Sequence, residues 1–174
     1  VKLILADRAM LSSSSYGTLD SGWKYIFDRY NNKYRWIPIC GDHAGLYARV
    51  DVDRETWYAA AGTERGIIKN IIKLAFNPDE TMRDQLYPQG VNPVCSLPGF
   101  GPVMYGQRTL LAKDSEFNGI AYRRLFIVLE MTVTRAAANL LFEFNDSFTQ
   151  KRFVSMVEPY LRDVRGRRGI RDFK

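Results

Sequence analysis

The sequence predicts a mixed α+β fold, with a central mixed β-sheet flanked by helices and a β-hairpin near the N-terminus. Two patterns and the composition support this class. Residues 23–39 alternate in the way of strands, whereas the last third of the chain repeats apolar residues every three or four positions. With 46% hydrophobic and 25% charged residues, a chain of 174 residues can bury a core without disulfides or metals. We therefore expect a single domain spanning residues 1–174.

The N-terminal part is predicted to hold a strand followed by a β-hairpin. Residues 1–6 form a short apolar run, which indicates a buried strand. In residues 23–28, aromatic side chains alternate with other types, and a matching run follows Asn31-Asn32, which predicts the hairpin. Dense aromatics also occur in proteins that stack single-stranded bases, but half-buried strands prefer the same residues, so we place these rings in the core.

The middle of the chain is predicted to contain a helix, a buried strand, a second helix and two short strands. Leu46, Tyr47 and Val50 have helical spacing, which predicts a helix over residues 42–52. The β-branched run 66–76 favours a buried strand, although its spacing also permits a helix. A helix is expected to begin at residues 77–80, with Asn77 as its N-cap. Residues 91–111 are predicted to hold two short strands around a turn-rich loop, with strand-like runs at 103–105 and 109–111.

Two helices are predicted in the C-terminal third. The first covers residues 122–142 and carries apolar residues on two faces. The second follows Ser147, which has Gln150 three positions later in the pattern of a capping box, and Pro159 is expected to bend or break it. Residues 170–174 resemble the start of a further strand.

No constellation of catalytic or metal-binding residues is found in the sequence. Cys40 and Cys95 lie far apart, without nearby ligands, and are predicted to be buried or free thiols of a reducing compartment rather than a disulfide. The single histidine, His43, has no second imidazole with which to share a metal, so we expect it at the surface or at a helix cap. Asp51 and Asp53 fit a solvated helix end better than a cation site. We predict no cofactor, no metal and no enzymatic activity.

Two weaker signals concern phosphate and nucleic acid. The run 99–102, Gly-Phe-Gly-Pro, lacks the consecutive N–H groups of a phosphate loop, because Pro102 supplies none, and a structural turn is favoured. The formal charge of +6 and the arginine cluster at 162–168 raise the alternative of a basic nucleic-acid-binding module. No recognition motif accompanies these charges, so a solvated or protein-facing helix is preferred and nucleic acid is not an expected partner.

A series of short motifs, taken together, resembles the contractile tail sheath proteins of bacterial viruses, especially the T-even-like branch. These motifs occur in order at residues 30–38 (YNNKYRWIP), 41–51 (GDHAGLYARVD), 56–62 (TWYAAAG), 83–87 (RDQLY), 91–93 (VNP), 105–109 (YGQRT), 123–126 (RRLF) and 142–146 (FEFND). The resemblance covers about residues 16–170. This chain departs from the family in having Ala60-Ala61 where a proline is common, and Val91 where isoleucine is common.

The resemblance implies that the chain corresponds to the inner, tube-proximal core of a longer sheath subunit. The chain opens at Val1 rather than Met. Family members carry outer N-terminal domains and a C-terminal strand that we do not find here. Because terminal strands of this family join neighbouring subunits by strand addition, we expect the isolated chain to fold but to assemble poorly.

The function implied by the resemblance is mechanical. Sheath subunits stack helically around a tail tube and contract, which drives the tube through the host envelope during genome ejection and host cell entry. The implied partners are other copies of the chain, the tail tube protein, and the baseplate and tail terminator proteins, with no membrane partner. The implied location is the virion tail, after synthesis in the host cytoplasm.

One surface can be assigned from the sequence within this interpretation. Basic residues of the last helix segregate from its apolar stripe at 100° per residue, and others follow directly after it. We predict that these residues face an acidic tube surface: Lys151, Arg152, Arg162, Arg165, Arg167 and Arg168.

Overall fold

The computed structural model describes residues 1–173, and the chain divides into two compact units, Val1–Arg123 and Arg124–Lys174. The helices are α1 (Lys2–Met10), α2 (Cys40–Asp53), α3 (Gly62–Arg65), α4 (Glu80–Leu86), α5 (Ile120–Ala138) and α6 (Ser147–Gly166). The strands are β1 (Leu19–Asp20), β2 (Trp23–Asp28), β3 (Lys33–Pro38), β4 (Lys73–Leu74), β5 (Val91–Asn92), β6 (Val94–Leu97) and β7 (Gly101–Met104). The predicted α+β class is confirmed.

The strands of the described residues form three small sheets rather than one central sheet. The predicted hairpin is confirmed: β2 and β3 pair antiparallel, with Tyr25 opposite Trp36, and β4 adds to the free edge of β2. β1 pairs in parallel with β5, and β6 pairs with β7. Pro93 separates β5 from β6, and proline cannot donate to a strand ladder, so these short strands belong to different sheets.

The main core of the first unit lies where α2 meets the β6–β7 hairpin and the segment after α3. Its apolar members are all at least 96% buried, namely Ile39, Leu46, Val50, Ala60, Ile68, Val94 and Met104. The helix predicted at residues 42–52 is confirmed, with Leu46 and Val50 on its buried face. Most of the stability of a helix of this length in water comes from such packing against the rest of the protein.

The predicted N-terminal strand is wrong, because the segment forms helix α1. None of its residues is buried, so no sheet receives the apolar run, and a short run of this kind does not distinguish strand from helix. The Arg8 side chain connects α1 to the rest of the first unit by two hydrogen bonds. Its Nε donates to the Gln89 carbonyl at 2.8 Å, and its Nη2 donates to the Leu110 carbonyl at 2.8 Å.

The strand predicted over residues 66–76 is also mostly wrong. Only a bridge between Ile67 and Val103 and the two residues of β4 remain. Asn70 adopts a left-handed backbone with φ 57°, which interrupts an extended segment. The backbone N–H groups on either side find separate acceptors, since Ile68 donates to Pro102 and Ile72 donates to Tyr25.

Helix α4 forms as predicted, but its N-cap is a different residue from the predicted one. Asp79, not Asn77, is the N-cap and accepts from the Met82 N–H at 2.8 Å. The Asn77 side chain instead accepts from the Ser96 N–H at 2.8 Å. Of the run 99–102, Gly99 and Phe100 lie in the turn between β6 and β7, and Gly101 and Pro102 begin β7. The strand expected at residues 109–111 is absent from this part of the described chain.

The two predicted long helices are present with changed boundaries. α5 ends at Ala138, four residues before the predicted end, and α6 continues through Pro159 without a break. Asp146 rather than Ser147 caps α6. Residues 170–173 form no strand, and the rest of that prediction falls on Lys174, which lies outside the described residues. Among residues 1–173, no helix is long and apolar enough to cross a membrane.

Gly90 and Gly45 form a matched pair for testing this packing. Gly90 has φ 78°, and a Cβ there would lie 2.8 Å from the Thr109 carbonyl oxygen, whereas a Cβ on Gly45 in α2 meets nothing within 4 Å. We expect Gly90→Ala to lower the free energy of unfolding by about 1–3 kcal/mol. Gly45→Ala should raise it by about 0.5–1 kcal/mol. Urea unfolding of both variants checks this, and equal effects of the same sign would contradict it.

Candidate interaction surface

Helix α6 starts at a strong capping site. The Asp146 carboxylate accepts from the Thr149 backbone N–H at 2.8 Å. Hydrogen bonding to Thr149 lowers the pKa of this carboxyl below its ordinary value, with burial as a small opposing effect. A carboxylate at the helix N-terminus also interacts favourably with the helix dipole. The first turn of α6 is therefore fixed by local interactions of its own residues.

The α6 sequence separates an apolar stripe from a basic face. Val164 is 99% buried, and the stripe continues through half-buried side chains at Phe153, Met156, Val157, Tyr160 and Leu161. At 100° per residue, Lys151, Arg162 and Arg165 fall within about 60° of one another on the opposite side, together with Glu158. All three basic side chains are exposed. We call the six predicted residues the basic surface: Lys151, Arg152, Arg162, Arg165, Arg167 and Arg168.

The structure brings part of the basic surface together. Arg152 lies at the flank of the face, about 100° from Lys151, and Arg167 and Arg168 follow the end of the helix. Arg168 adopts a left-handed backbone with φ 65°, so the chain turns sharply there. Arg162, Arg165, Gly166, Glu158 and Phe173 line a shallow depression of roughly 600 Å³.

Neighbouring carboxylates partly neutralise the basic surface. Arg162 pairs with Glu158 at 2.6 Å, Arg167 pairs with Asp163 at 3.2 Å, and Arg165 lies 3.5 Å from Asp172. These side chains are more than one third exposed, so each pair stabilises the unit by about 0–1 kcal/mol. Such weak pairs exchange easily for a partner's carboxylates. The contact with a tube surface stays a prediction.

The expected surface position of His43 is wrong. The side chain is 98% buried, and its Nδ1 lies 2.7 Å from Oδ2 of Asp20, whose side chain is also buried. The ring contacts Tyr47 with centroids 4.7 Å apart, and Nε2 has no hydrogen-bond partner among the described residues. His43 follows the start of α2, and pairing with Asp20 of β1 draws that end of the helix inward. The spacing of residues in the sequence gives no sign of a pair between Asp20 and His43, which lie far apart along the chain.

The two cysteines are free thiols, as predicted. Cys40 is exposed and Cys95 is buried. Burial raises the pKa of the Cys95 thiol, with the nearby Arg83 guanidinium acting in the opposite direction. Nowhere in the described residues do three His, Cys, Asp or Glu side chains gather as metal ligands.

The aromatic residues of the hairpin occupy an exposed face, which corrects the prediction that they lie in the core. Trp23 and Tyr34 are more than half exposed, whereas Lys24 of the alternate face is 96% buried and bonds Asp42 at 2.8 Å. Lys73 of β4 sits over the rings of Tyr25 and Trp36, at 5.3 and 5.5 Å from their centroids. We call this surface the aromatic face: Trp23, Tyr25, Phe27, Tyr34, Trp36 and Lys73.

Comparison with curated proteins identifies relatives for nearly the whole chain. The tail sheath protein of Vibrio phage KVP40 is 40% identical over 162 residues, which make up 93% of this chain and 24% of that protein. The tail sheath protein of Enterobacteria phage T4 is 40% identical over 162 residues, 93% of this chain and 25% of the relative. That of Salmonella phage ViI is 35% identical over 166 residues. The chain thus spans about a quarter of the length of these curated relatives.

Solved structures share the fold. The sheath complex of an extracellular contractile injection system (PVC) in its contracted state has a TM-score of 0.84 and 22% identity, and covers 100% of this chain and 47% of that chain. The contracted helical sheath of the anti-feeding prophage has a TM-score of 0.77 and 23% identity, over 88% of this chain and 41% of that one. No protein-family model matches the sequence. None of these similarities supports the alternative of a nucleic-acid-binding module.

Proposed function

We propose that this chain, which is homologous to one segment of the contractile tail sheath proteins, forms part of a structural subunit of a contractile sheath. The observation that carries this proposal is the identity of 40% with two phage tail sheath proteins over 93% of the chain. The shared fold of two contracted sheath structures supports it. The expected action is helical polymerisation around a tail tube, followed by contraction that drives the tube through the host envelope.

We propose further that the chain forms the tube-proximal core of its subunit and acts without catalysis. Its partners would be other copies of the subunit, the tail tube protein, and the baseplate and tail terminator proteins. Its location would be the virion tail, after synthesis in the host cytoplasm. A baseplate structure of the anti-feeding prophage shares the fold at a TM-score of 0.78, which supports association of such subunits with a baseplate.

The basic surface of α6 is our proposal for the tube contact. Its side chains are exposed, and residues 147–168 carry six basic and two acidic groups. A single exposed ion pair contributes about 0–1 kcal/mol, but a polymer repeats the contact in every subunit, so many weak contacts hold the sheath collectively. Individually weak contacts also allow the tube to move through the sheath during contraction.

Charge reversal tests the proposed tube contact in the full-length gene product. We expect Arg162→Glu, Arg165→Glu and Arg168→Glu, combined, to reduce co-sedimentation with purified tubes about tenfold or more at low salt. The loss should diminish as salt increases, because ions screen exposed charges. Electron microscopy of the same samples records whether sheaths form around tubes.

A variant with the same change in charge serves as the control. Lys2→Glu, Arg29→Glu and Lys113→Glu, combined, alter exposed residues outside α6 and should leave tube binding within about twofold. Equal sheathing by the α6 variant and its parent at every ionic strength would remove this helix from the tube interface. Failure of the parent to form sheaths at all would contradict the proposed function itself.

A further inference from the structure

The connection between α5 and α6, together with the first turn of α6, exposes four large apolar side chains close together in sequence. Phe142 is fully exposed and Phe144 is 85% exposed, and both lie in the short loop between the two helices. We call this segment the phenylalanine loop and define it by its exposed apolar residues, Leu141, Phe142, Phe144 and Phe148. Exposed aromatic and leucine side chains clustered in this way mark interaction sites on soluble proteins.

The backbone of the phenylalanine loop is also held in an unfavourable conformation. Phe142 has φ 69°, in the left-handed region that a bulky residue rarely adopts. This conformation costs free energy, and the exposed ring recovers none of it within the unit. Glu143 and Asp146 add negative charge beside the rings. The loop therefore presents an apolar surface with acidic neighbours.

The aromatic face of the β2–β3 hairpin has complementary properties. It offers a flat set of partly exposed rings on one side of a sheet, and its positive charge is Lys73, which lies over Tyr25 and Trp36. Phenylalanine side chains pack well on such rings in stacked or edge-on geometry. A carboxylate next to those phenylalanines would meet the Lys73 ammonium at the same place.

We propose that the phenylalanine loop of one copy packs on the aromatic face of another copy, with Glu143 beside Lys73. The two surfaces differ from one another, and a contact between two different patches of identical chains is heterologous, which generates rings or helical filaments. This inference rests on the proposed function, since it requires helical self-assembly. Beyond the proposed function, it specifies which surfaces of two neighbouring subunits contact each other.

Cross-linking in assembled polymers tests the contact directly. One batch of full-length gene product carries Phe144→Cys and a second carries Tyr34→Cys, both in a background with Cys40→Ser. After co-assembly, a short bismaleimide should link the two batches, and mass spectrometry should identify the 34–144 peptide pair. A batch with Lys113→Cys in place of Tyr34→Cys should cross-link at least tenfold less.

A second measurement uses assembly without cross-linking. Phe144→Ser with Phe148→Ser should leave the Tm of the unassembled subunit unchanged, because both side chains are exposed, and should raise the critical concentration for assembly about tenfold. Glu143→Lys should weaken assembly in the same direction, and adding Lys73→Glu should restore it at least in part.

The outcomes separate this inference from the proposed function. Tubes that form normally but give no 34–144 cross-link would overturn the inference and leave the function intact. Cross-links from the Phe144→Cys batch that reach only the tube protein would also overturn it. A parent protein that forms no tubes would overturn the proposed function and the inference together.

Discussion

Replacing Leu46 with alanine is expected to lower the free energy of unfolding by about 3–4 kcal/mol. Leu46 is 96% buried on α2 and belongs to the main core with Ile39 and Met104. Truncation removes its apolar contacts and leaves a cavity that a close-packed interior fills only in part. Alanine is a good helix former, so the loss reports packing rather than helix propensity. Urea unfolding followed by circular dichroism measures it.

Leu3→Ala is the matched control for Leu46→Ala. Leu3 also lies within a helix, but 82% of its surface is exposed and α1 buries none of its residues. The same truncation there should change the free energy of unfolding by no more than about 0.5 kcal/mol. A loss at Leu3 as large as that at Leu46 would show that α1 packs against something in solution and that its face is wrongly described.

The second large effect is expected at the buried pair of Asp20 and His43. Asp20→Ala should lower the free energy of unfolding by about 2–4 kcal/mol, because His43 Nδ1 loses its partner at 2.7 Å in a buried place. His43 Nε2 already lacks a partner within residues 1–173, so both ring nitrogens would then be unsatisfied. The pair also connects β1 with α2, and its removal should loosen both elements.

Two further variants define what the Asp20 carboxylate contributes. Asp20→Asn keeps an oxygen that can accept a hydrogen bond, so we expect it to recover part of the stability lost in Asp20→Ala. Asp114→Ala removes an exposed carboxylate from a loop of the same unit and should cost about 0.5 kcal/mol or less. Chemical denaturation of the three variants side by side makes the comparison. Equal stability of Asp20→Ala and Asp114→Ala would contradict a structural role for the pair.

The proposed contacts of this chain use surfaces with different physical character. The basic surface of α6 is polar and partly neutralised by exposed ion pairs, so its interactions should respond strongly to salt. The phenylalanine loop and the aromatic face are mainly apolar and should respond far less. Salt titration of assembly with and without tubes therefore distinguishes contacts to the tube from contacts between copies.

Local sequence chemistry correctly predicted the elements whose signal lies within a few residues. The β2–β3 hairpin follows from alternation around Asn31-Asn32, and Asn32 adopts the left-handed backbone that this turn requires. Helix α2 and the long helices α5 and α6 follow from spacing of three and four residues. The free thiols also follow from the residues alone. The order of short motifs along the chain was sufficient to indicate the similarity to tail sheath proteins, which the curated relatives confirm.

Other features depended on contacts between residues distant in sequence. Alternation in residues 23–28 is equally compatible with either face inward, and the pairing of Lys24 with Asp42 turns that face toward the interior and leaves Trp23 exposed. His43 is buried because Asp20, more than twenty residues earlier, supplies an acceptor. Residues 2–6 are helical, since no sheet edge in the described part of the chain receives them. In each case a local pattern allowed two arrangements of similar free energy, and tertiary partners that the pattern does not contain selected one of them.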